Sequence, residues 1–305
     1  MSALGPILAA TDFSVHAGHA ATRAACVAHE TRSPLTLMHV LPGEPLAQVR
    51  GWLGVDRGLE RERTLHRAAH RRLNTLAAEL AAARHAPVAT ESAAGGALEE
   101  ILHRAERLDA RLLVLGARGA SLWRRLVFGT MSLRLMHRTK RPLLVVRQTP
   151  RGPYRRVLVA VDFSPWSLEA LRLARQMAPH ARMLLLTAFE VPFEGKLHYA
   201  GVDAATVVRY RQQAHAQARQ RLHELAHEAG LSLTEWEPCV VEGAAPRRIV
   251  EAERTQGCDL VVLGKHGQSA TVDFLLGSVT REVLARGRAD VLVSTRQAAR
   301  ALPEP

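Results

Sequence analysis

Apolar residues fall along this chain in two alternating rhythms. Short unbroken apolar runs, Ile7-Leu-Ala-Ala10, Leu35-Thr-Leu-Met-His-Val40, Arg111-Leu-Leu-Val-Leu115 and Leu143-Leu-Val-Val146, are separated by longer stretches with helical spacing. Runs of strand length that lack polar alternation indicate strands buried on both faces, as in a parallel sheet covered by helices. Helical spacing covers residues 16–30, about 58–84 and 97–107, and a further strand is expected near 86–93. The same series then runs a second time. Strands are expected at Val157-Leu-Val-Ala-Val161, Met183-Leu-Leu-Leu-Thr-Ala188, near 232–241, at Leu260-Val-Val-Leu263 and at Val291-Leu-Val-Ser294, with helices at 165–178, about 203–229 and 245–256. An irregular segment follows the second strand of each series, Pro42 to about Asp56 and Val191 to about Val202. Ser14 and Ser164 stand at the expected N-caps, where a hydroxyl accepts an orphan backbone N–H.

Strands alternating with helices, twice over, predict an α/β chain of two tandem doubly wound five-stranded parallel-sheet domains. Their bounds are read as 1–149 and 154–298, joined by the proline-stiffened Thr149-Pro150-Arg-Gly-Pro153, with a loose tail from Arg300. At 305 residues each half is long enough for its own core. In such sheets ligands bind beyond the carboxyl ends of the strands, where the strand order reverses. Asp12, Val40 and Gly116 fall at such ends, and so do Asp162, Ala188 and Gly264.

The fourth strand of each repeat runs into a glycine phrase. The first copy is Gly116-Ala-Arg-Gly119, nine residues, then Gly129-Thr130-Met131-Ser132; the second is Gly264-Lys-His-Gly267, nine residues, then Gly277-Ser278-Val279-Thr280. Each glycine has its partner 148 residues away. Glycine serves where the backbone turns left-handed or a neighbour approaches closely, and hydroxyl residues opening a helix make a phosphate cradle. A turn shaped only by packing is the plainer account of one such phrase, and the duplication favours a nucleotide-type site. Arg118, Lys265 and His266 lie inside the phrases, as phosphate contacts or as solvent-facing loop residues.

Composition narrows the picture. The formal charge of +12 is uneven, with 21 Lys+Arg against 12 Asp+Glu in residues 1–150 and 20 against 17 in the remainder. The densest basic run, Arg61 to Arg72, reads as the wet side of an amphipathic helix. With only 4% aromatic residues there is no stacking platform, so nucleic acid is not expected as a partner. No apolar stretch is long enough for a membrane span and the N-terminus lacks a basic region, so a cytoplasmic protein is expected. Cys26, Cys239 and Cys258 read as buried thiols.

These features resemble the universal stress protein family in its tandem two-domain, ATP-binding form. Its Gly-x2-Gly-x9-Gly-(Ser/Thr) phrase stands here twice, with an opening strand ending in Asp and a Val-rich closing strand. The resemblance implies an HUP-like fold (adenine-nucleotide alpha hydrolase-like) whose two repeats pack as a pseudo-dimer through their fifth strands. It also implies ATP, or ADP or AMP, as ligand, with Mg²⁺ as a companion. On that footing Asp12 and Asp162 lie beside the adenosine portion, and Val40 and Ala188 contact adenine. Gly116, Gly119, Gly129, Thr130, Met131 and Ser132 match the phosphate-binding residues of repeat one. Gly264, Gly267, Gly277, Ser278, Val279 and Thr280 match those of repeat two. Ala188 against Val40, and His266 and Asp273 against Arg118 and Arg125, favour repeat one as the stronger phosphate site. A protein partner is expected, its identity open, and further pairing of two chains is left open.

No P-loop, adenylation phrase or nucleophile elbow is present. His66 and His70, and His223 and His227, sit four apart on helices but read as solvent-facing rather than as metal ligands. No catalytic residue or metal ligand is expected. Two rival functions stand beside nucleotide-dependent stress signalling: slow ATP hydrolysis or phosphate transfer in the same crevice, and a nucleotide-free scaffold.

Overall fold

The computed structural model of the chain describes residues 4–43, 55–84, 86–117, 130–190, 203–265 and 277–295. They divide into two compact units, 4–153 and 154–295. In the first, strands β1 (Ile7–Ala10), β2 (Leu35–Pro42), β3 (Val88–Gly95), β4 (Leu112–Gly116) and β5 (Leu143–Val146) alternate with helices α1 (Val15–Thr31), α2 (Val55–Arg84), α3 (Ala97–Arg107) and α4 (Thr130–Arg138). The sheet runs β3-β2-β1-β4-β5 and every pair is parallel. Helices α1 and α2 cover one face, while α3 packs on β2 and β3 from the other and meets α4. The strand order therefore reverses between β1 and β4.

The second unit repeats the plan with β6 (Arg156–Ala160), β7 (Arg182–Phe189), β8 (Trp236–Glu242), β9 (Leu260–Gly264) and β10 (Asp290–Ser294). Its helices are α5 (Pro165–Met177), α6 (Ala204–Glu228), α7 (Ala245–Thr255) and α8 (Ser278–Arg286). The order is β8-β7-β6-β9-β10, again parallel, with the reversal between β6 and β9. Most of the irregular segments expected after β2 and β7 lie outside the described residues, as does the tail.

Cores form as the apolar runs dictate. Leu112 through Leu115, Leu143 through Val146 and Leu260 through Leu263 are buried without alternation, and each such side chain contributes about 1.5–3 kcal/mol. Helix α1 meets the sheet through small residues, Ala17, Ala20, Ala21, Ala24 and Ala28 among them, which allows a close approach. The long helices behave differently along their length. In α2 none of the described side chains from Glu60 to Arg72 is buried, and packing begins at Leu73, Ala77 and Leu80. In α6 it begins at Leu222 and Ala226. The basic run Arg61 to Arg72 is thus a solvated helix face. Among the described residues no helix is long and apolar enough to cross a membrane.

All three thiols are free, with Cys26 and Cys258 buried and Cys239 half-buried. Burial pushes each thiol above its usual range, Cys258 to about 12.

Candidate functional site at the strand-order reversals

In the first unit the β1–β2 ladder continues one residue past β1, with Thr11 N–H donating to Met38 O at 2.8 Å. The chain then turns sharply. Phe13 N–H donates to Thr11 Oγ1 at 3.0 Å, Ser14 N–H donates to Asp12 Oδ1 at 3.0 Å, and Phe13 takes the left-handed φ of 61°. Ser14 caps α1 as expected, its hydroxyl accepting Ala17 N–H at 3.2 Å. Beside this turn lies a cavity of about 160 Å³ that gathers Asp12, Val40, Gly116, Met131 and Ser132. These five came from four separate elements of the sequence. The rest of the wall is Thr11 and the apolar Ala10, Ala17, Met38, Ala97, Ile101 and Leu115. Sequence reasoning missed these seven. Ala97 and Ile101 had a signal, since they open the helix that follows the glycine pair Gly95-Gly96.

The glycine phrase has more structural work than its spacing suggests. A Cβ on Gly116 would lie 2.8 Å from the backbone C and O of His16 and 3.0 Å from Ala17 N, so α1 itself requires this glycine. The Ser132 hydroxyl donates to Gly116 O at 3.2 Å, tying the end of the phrase to its beginning. Thr280 makes the same tie to Gly264 O at 3.4 Å. Both hydroxyl residues are buried. Their protons are therefore engaged with the backbone, and their lone pairs are what remains to offer a cation. Thr130 is the first residue of α4 and Ser278 the first of α8, with Gly277 as N-cap at φ −55°. A Cβ on Gly277 would meet only ordinary contacts, 3.7 Å to Lys265 O and 3.9 Å to Thr280 Oγ1. Gly119, Gly129 and Gly267 lie outside the described residues, together with Arg118, Arg125, His266 and Asp273. Lys265 is described and buried, so the solvent-facing alternative does not apply to it.

The second unit rebuilds the turn with different partners. Val161 N–H donates to Leu186 O at 2.8 Å, and Phe163 has φ 60°. Ala188 pairs with Val241 at the end of β7, beside Thr187 and Phe189. Ser164 holds the N-cap position of α5 but makes no side-chain cap bond, contrary to expectation. Its hydroxyl instead donates to Asp162 Oδ1 at 2.6 Å. That oxygen also accepts Ser164 N–H at 3.0 Å and the Ser167 hydroxyl at 2.7 Å. Ser167 Oγ in turn accepts Asp162 N–H at 3.1 Å. One of these donors is peculiar to this repeat: Ser167 stands where repeat one has Ala17. A charged oxygen makes a strong acceptor for that proton, while a cap would use the hydroxyl's lone pair, so the two roles do not exclude each other. Val279 follows Ser278 in the first turn of α8, as Met131 follows Thr130 in α4.

Other candidates do not assemble. Among the described residues no group of three or more His, Cys, Asp or Glu is placed to hold a metal ion. His66 lies 4.0 Å from Glu62, and His223 packs edge-on against Trp236 at 4.8 Å between ring centroids.

Comparison with known proteins gives a consistent result. The sequence profile of the universal stress protein family matches residues 4–147 and 153–295. A universal stress protein of Mycobacterium tuberculosis is 27% identical over 188 residues, covering 60% of this chain and 58% of that protein. The match thus spans little more than half the length of that relative. A second from the same organism is 31% identical over 146 residues, covering 46% of this chain and 95% of its own length. Among solved structures, a universal stress protein from Archaeoglobus fulgidus superposes with a TM-score of 0.68 at 18% identity, covering 97% of this chain and 98% of that one. That likeness speaks for the fold alone.

Proposed function

Because the chain belongs to the universal stress protein family, with two of its domains in tandem, we propose that it binds ATP or a related adenine nucleotide at the strand-order reversals and signals stress through that binding. One observation carries the reading: Asp12, Val40, Gly116, Met131 and Ser132, far apart in sequence, line one cavity at the carboxyl ends of β1, β2 and β4. The residues fit the ligand in kind. The apolar wall of Met38, Val40 and Ile101 suits a flat heteroaromatic base. The Asp12 carboxylate suits a ribose hydroxyl. At the start of α4 the first-turn amides have no acceptor within the helix, the kind of donor set that suits phosphate. At about 160 Å³ the cavity matches the base portion of a nucleotide rather than the whole, since pockets that enclose whole drug-sized ligands run to roughly 300–1,000 Å³. Mg²⁺ would arrive with the phosphates.

Repeat one is the stronger site in this reading, because its phrase carries Arg118 and Arg125 where repeat two has His266 and Asp273, and Asp162 already accepts three bonds at Oδ1. A ribose hydroxyl there must displace a serine or take the other oxygen. The protein would act in the cytoplasm, where its three free, weakly acidic thiols stay reduced. Its output would be a changed surface read by a protein partner. Mass spectrometry of nucleotide released from the gently purified chain tests the reading. An adenine nucleotide at up to two equivalents is expected. If none is released and millimolar ATP produces no thermal shift, the nucleotide-free scaffold replaces it; phosphate release above background would favour the slow hydrolase.

A further inference from the structure

The described residues include four non-glycine positions with left-handed φ: Phe13 at 61°, Arg32 at 51°, Asp109 at 46° and Phe163 at 60°. Two have ordinary reasons. Arg32 is the C-cap of α1, and Asp109 lies just past α3 and has the short polar side chain that tolerates this region. A phenylalanine has no such reason, and a bulky residue there is a true outlier. The outlier occurs twice, each time between the acid of the crevice and the serine at the helix N-cap.

Both rings are held in the same way. The Arg72 guanidinium of α2 lies over the Phe13 ring, 4.6 Å from its centroid, and Arg221 of α6 lies over Phe163 at 3.9 Å. In repeat one Arg72 also donates to Phe13 O at 3.4 Å. The His39 ring packs on Phe13 from β2 at 4.4 Å between centroids, with His39 Nδ1 2.7 Å from Thr11 O. Acid and ring face opposite sides of the turn. Asp12 borders the crevice with Val40 and Gly116, whereas Phe13 borders a separate groove with Arg72, Thr75 and Glu79. Left-handed backbone at a bulky residue persists only where surrounding contacts enforce it. The stacked arginine is such a contact, and in repeat one it comes from the stretch of the helix, Glu60 to Arg72, in which no side chain is buried.

We infer that Phe13 and Phe163, each stacked under an arginine of the long helix, are positioning residues that hold Asp12 and Asp162 toward the nucleotide. The clamp on the far side of the turn fixes the acid on the near side, and it joins each crevice to its long helix. This rests on the adenine-nucleotide reading above.

The test is a double-mutant cycle on ATP binding, measured by calorimetry on the full chain carrying Asp162→Asn so that repeat one dominates. Arg72 is exposed, so Arg72→Gln keeps the fold. It is expected to weaken ATP binding about fivefold, the size of one cation–π contact. Arg72→Lys, which keeps the cation, should stay within about twofold of the parent. In an Asp12→Asn chain, Arg72→Gln should add less than about twofold, because the clamp acts through the acid. Undiminished binding in Arg72→Gln, or an equal loss with and without Asp12, overturns the clamp while leaving nucleotide binding intact. A parent chain that binds no ATP overturns both.

Discussion

The two repeats share a backbone and differ at the acid. In repeat one Asp12 faces a cavity walled by Ala17 and accepts Ser14 N–H. In repeat two the hydroxyl of Ser167 joins Ser164 in surrounding Asp162 Oδ1 with three donors, and Ser164 makes no cap bond. Duplication preserved the turn, the left-handed phenylalanine and the arginine above it, while the polar partners of the acid drifted. The difference teaches that fold-level equivalence does not settle which copy of a site is poised for a ligand. A hydrogen bond to a charged group is worth about 1.5–3 kcal/mol, so the partners already around each acid weigh on any ligand that must share it.

The sharpest way to break the comparison is to neutralise each acid. Asp12→Asn should weaken ATP binding tenfold or more, the loss of one hydrogen bond to a charged group. Asp162→Asn should change affinity far less but should destabilise the second unit, whose serine donors lose a charged acceptor. Equal effects on affinity, measured by calorimetry, would erase the distinction between the repeats.

A second contrast concerns one glycine from each phrase. Gly116→Ala forces a Cβ to 2.8 Å from the His16 backbone and should cost about 1–3 kcal/mol in denaturant unfolding. Gly277→Ala meets only ordinary contacts at φ −55° and should cost under about 1 kcal/mol. A smaller effect is expected from exchanging the residue that separates the repeats. Ser167→Ala should remove one of the three donors on Asp162 Oδ1 and tighten the second site by about three- to tenfold, since one hydrogen bond carries ~1 kcal/mol. Ala17→Ser should weaken the first by a similar factor, and titration stoichiometry at fixed ATP reads both.

The smallest effect is a pH dependence confined to repeat two. Asp203 caps α6 by accepting Thr206 N–H at 2.6 Å, and that bond holds its carboxyl below the ordinary value of 3.8. A depressed folded value means the cap contributes fully above the unfolded value and is lost as pH falls through the folded one. Asp203→Ala should therefore lower the melting temperature of the second unit at pH 7, by an amount that shrinks as pH falls below the ordinary carboxylate range, as followed by circular dichroism.

Much of this was legible in the sequence, for identifiable reasons. Unbroken apolar runs ending in Asp or Gly located β1, β4, β6 and β9, because a doubly covered strand tolerates no polar alternation. The phrase pointed to Gly116, Met131 and Ser132, and the structure brings them beside Asp12 and Val40. The expected cap at Ser164 failed because a cap is read from a local pattern, whereas the partner its hydroxyl takes is a carboxylate positioned by the turn. Phe13 was passed over because nothing in a Phe codon position announces left-handed backbone. Its arginine lies 59 residues away on another helix. Only a near-equal offset in both repeats, Phe13 to Arg72 and Phe163 to Arg221, could have hinted at the pair.

The most direct measurement of the central claim is calorimetric titration of the full chain with ATP and Mg²⁺, run in parallel on the Asp12→Asn chain. Saturable binding that falls tenfold or more in the variant is predicted, with about 2.7 kcal/mol of added stability at 100 times the dissociation constant. No heat at millimolar ATP, or binding that Asp12→Asn leaves unchanged, would contradict it.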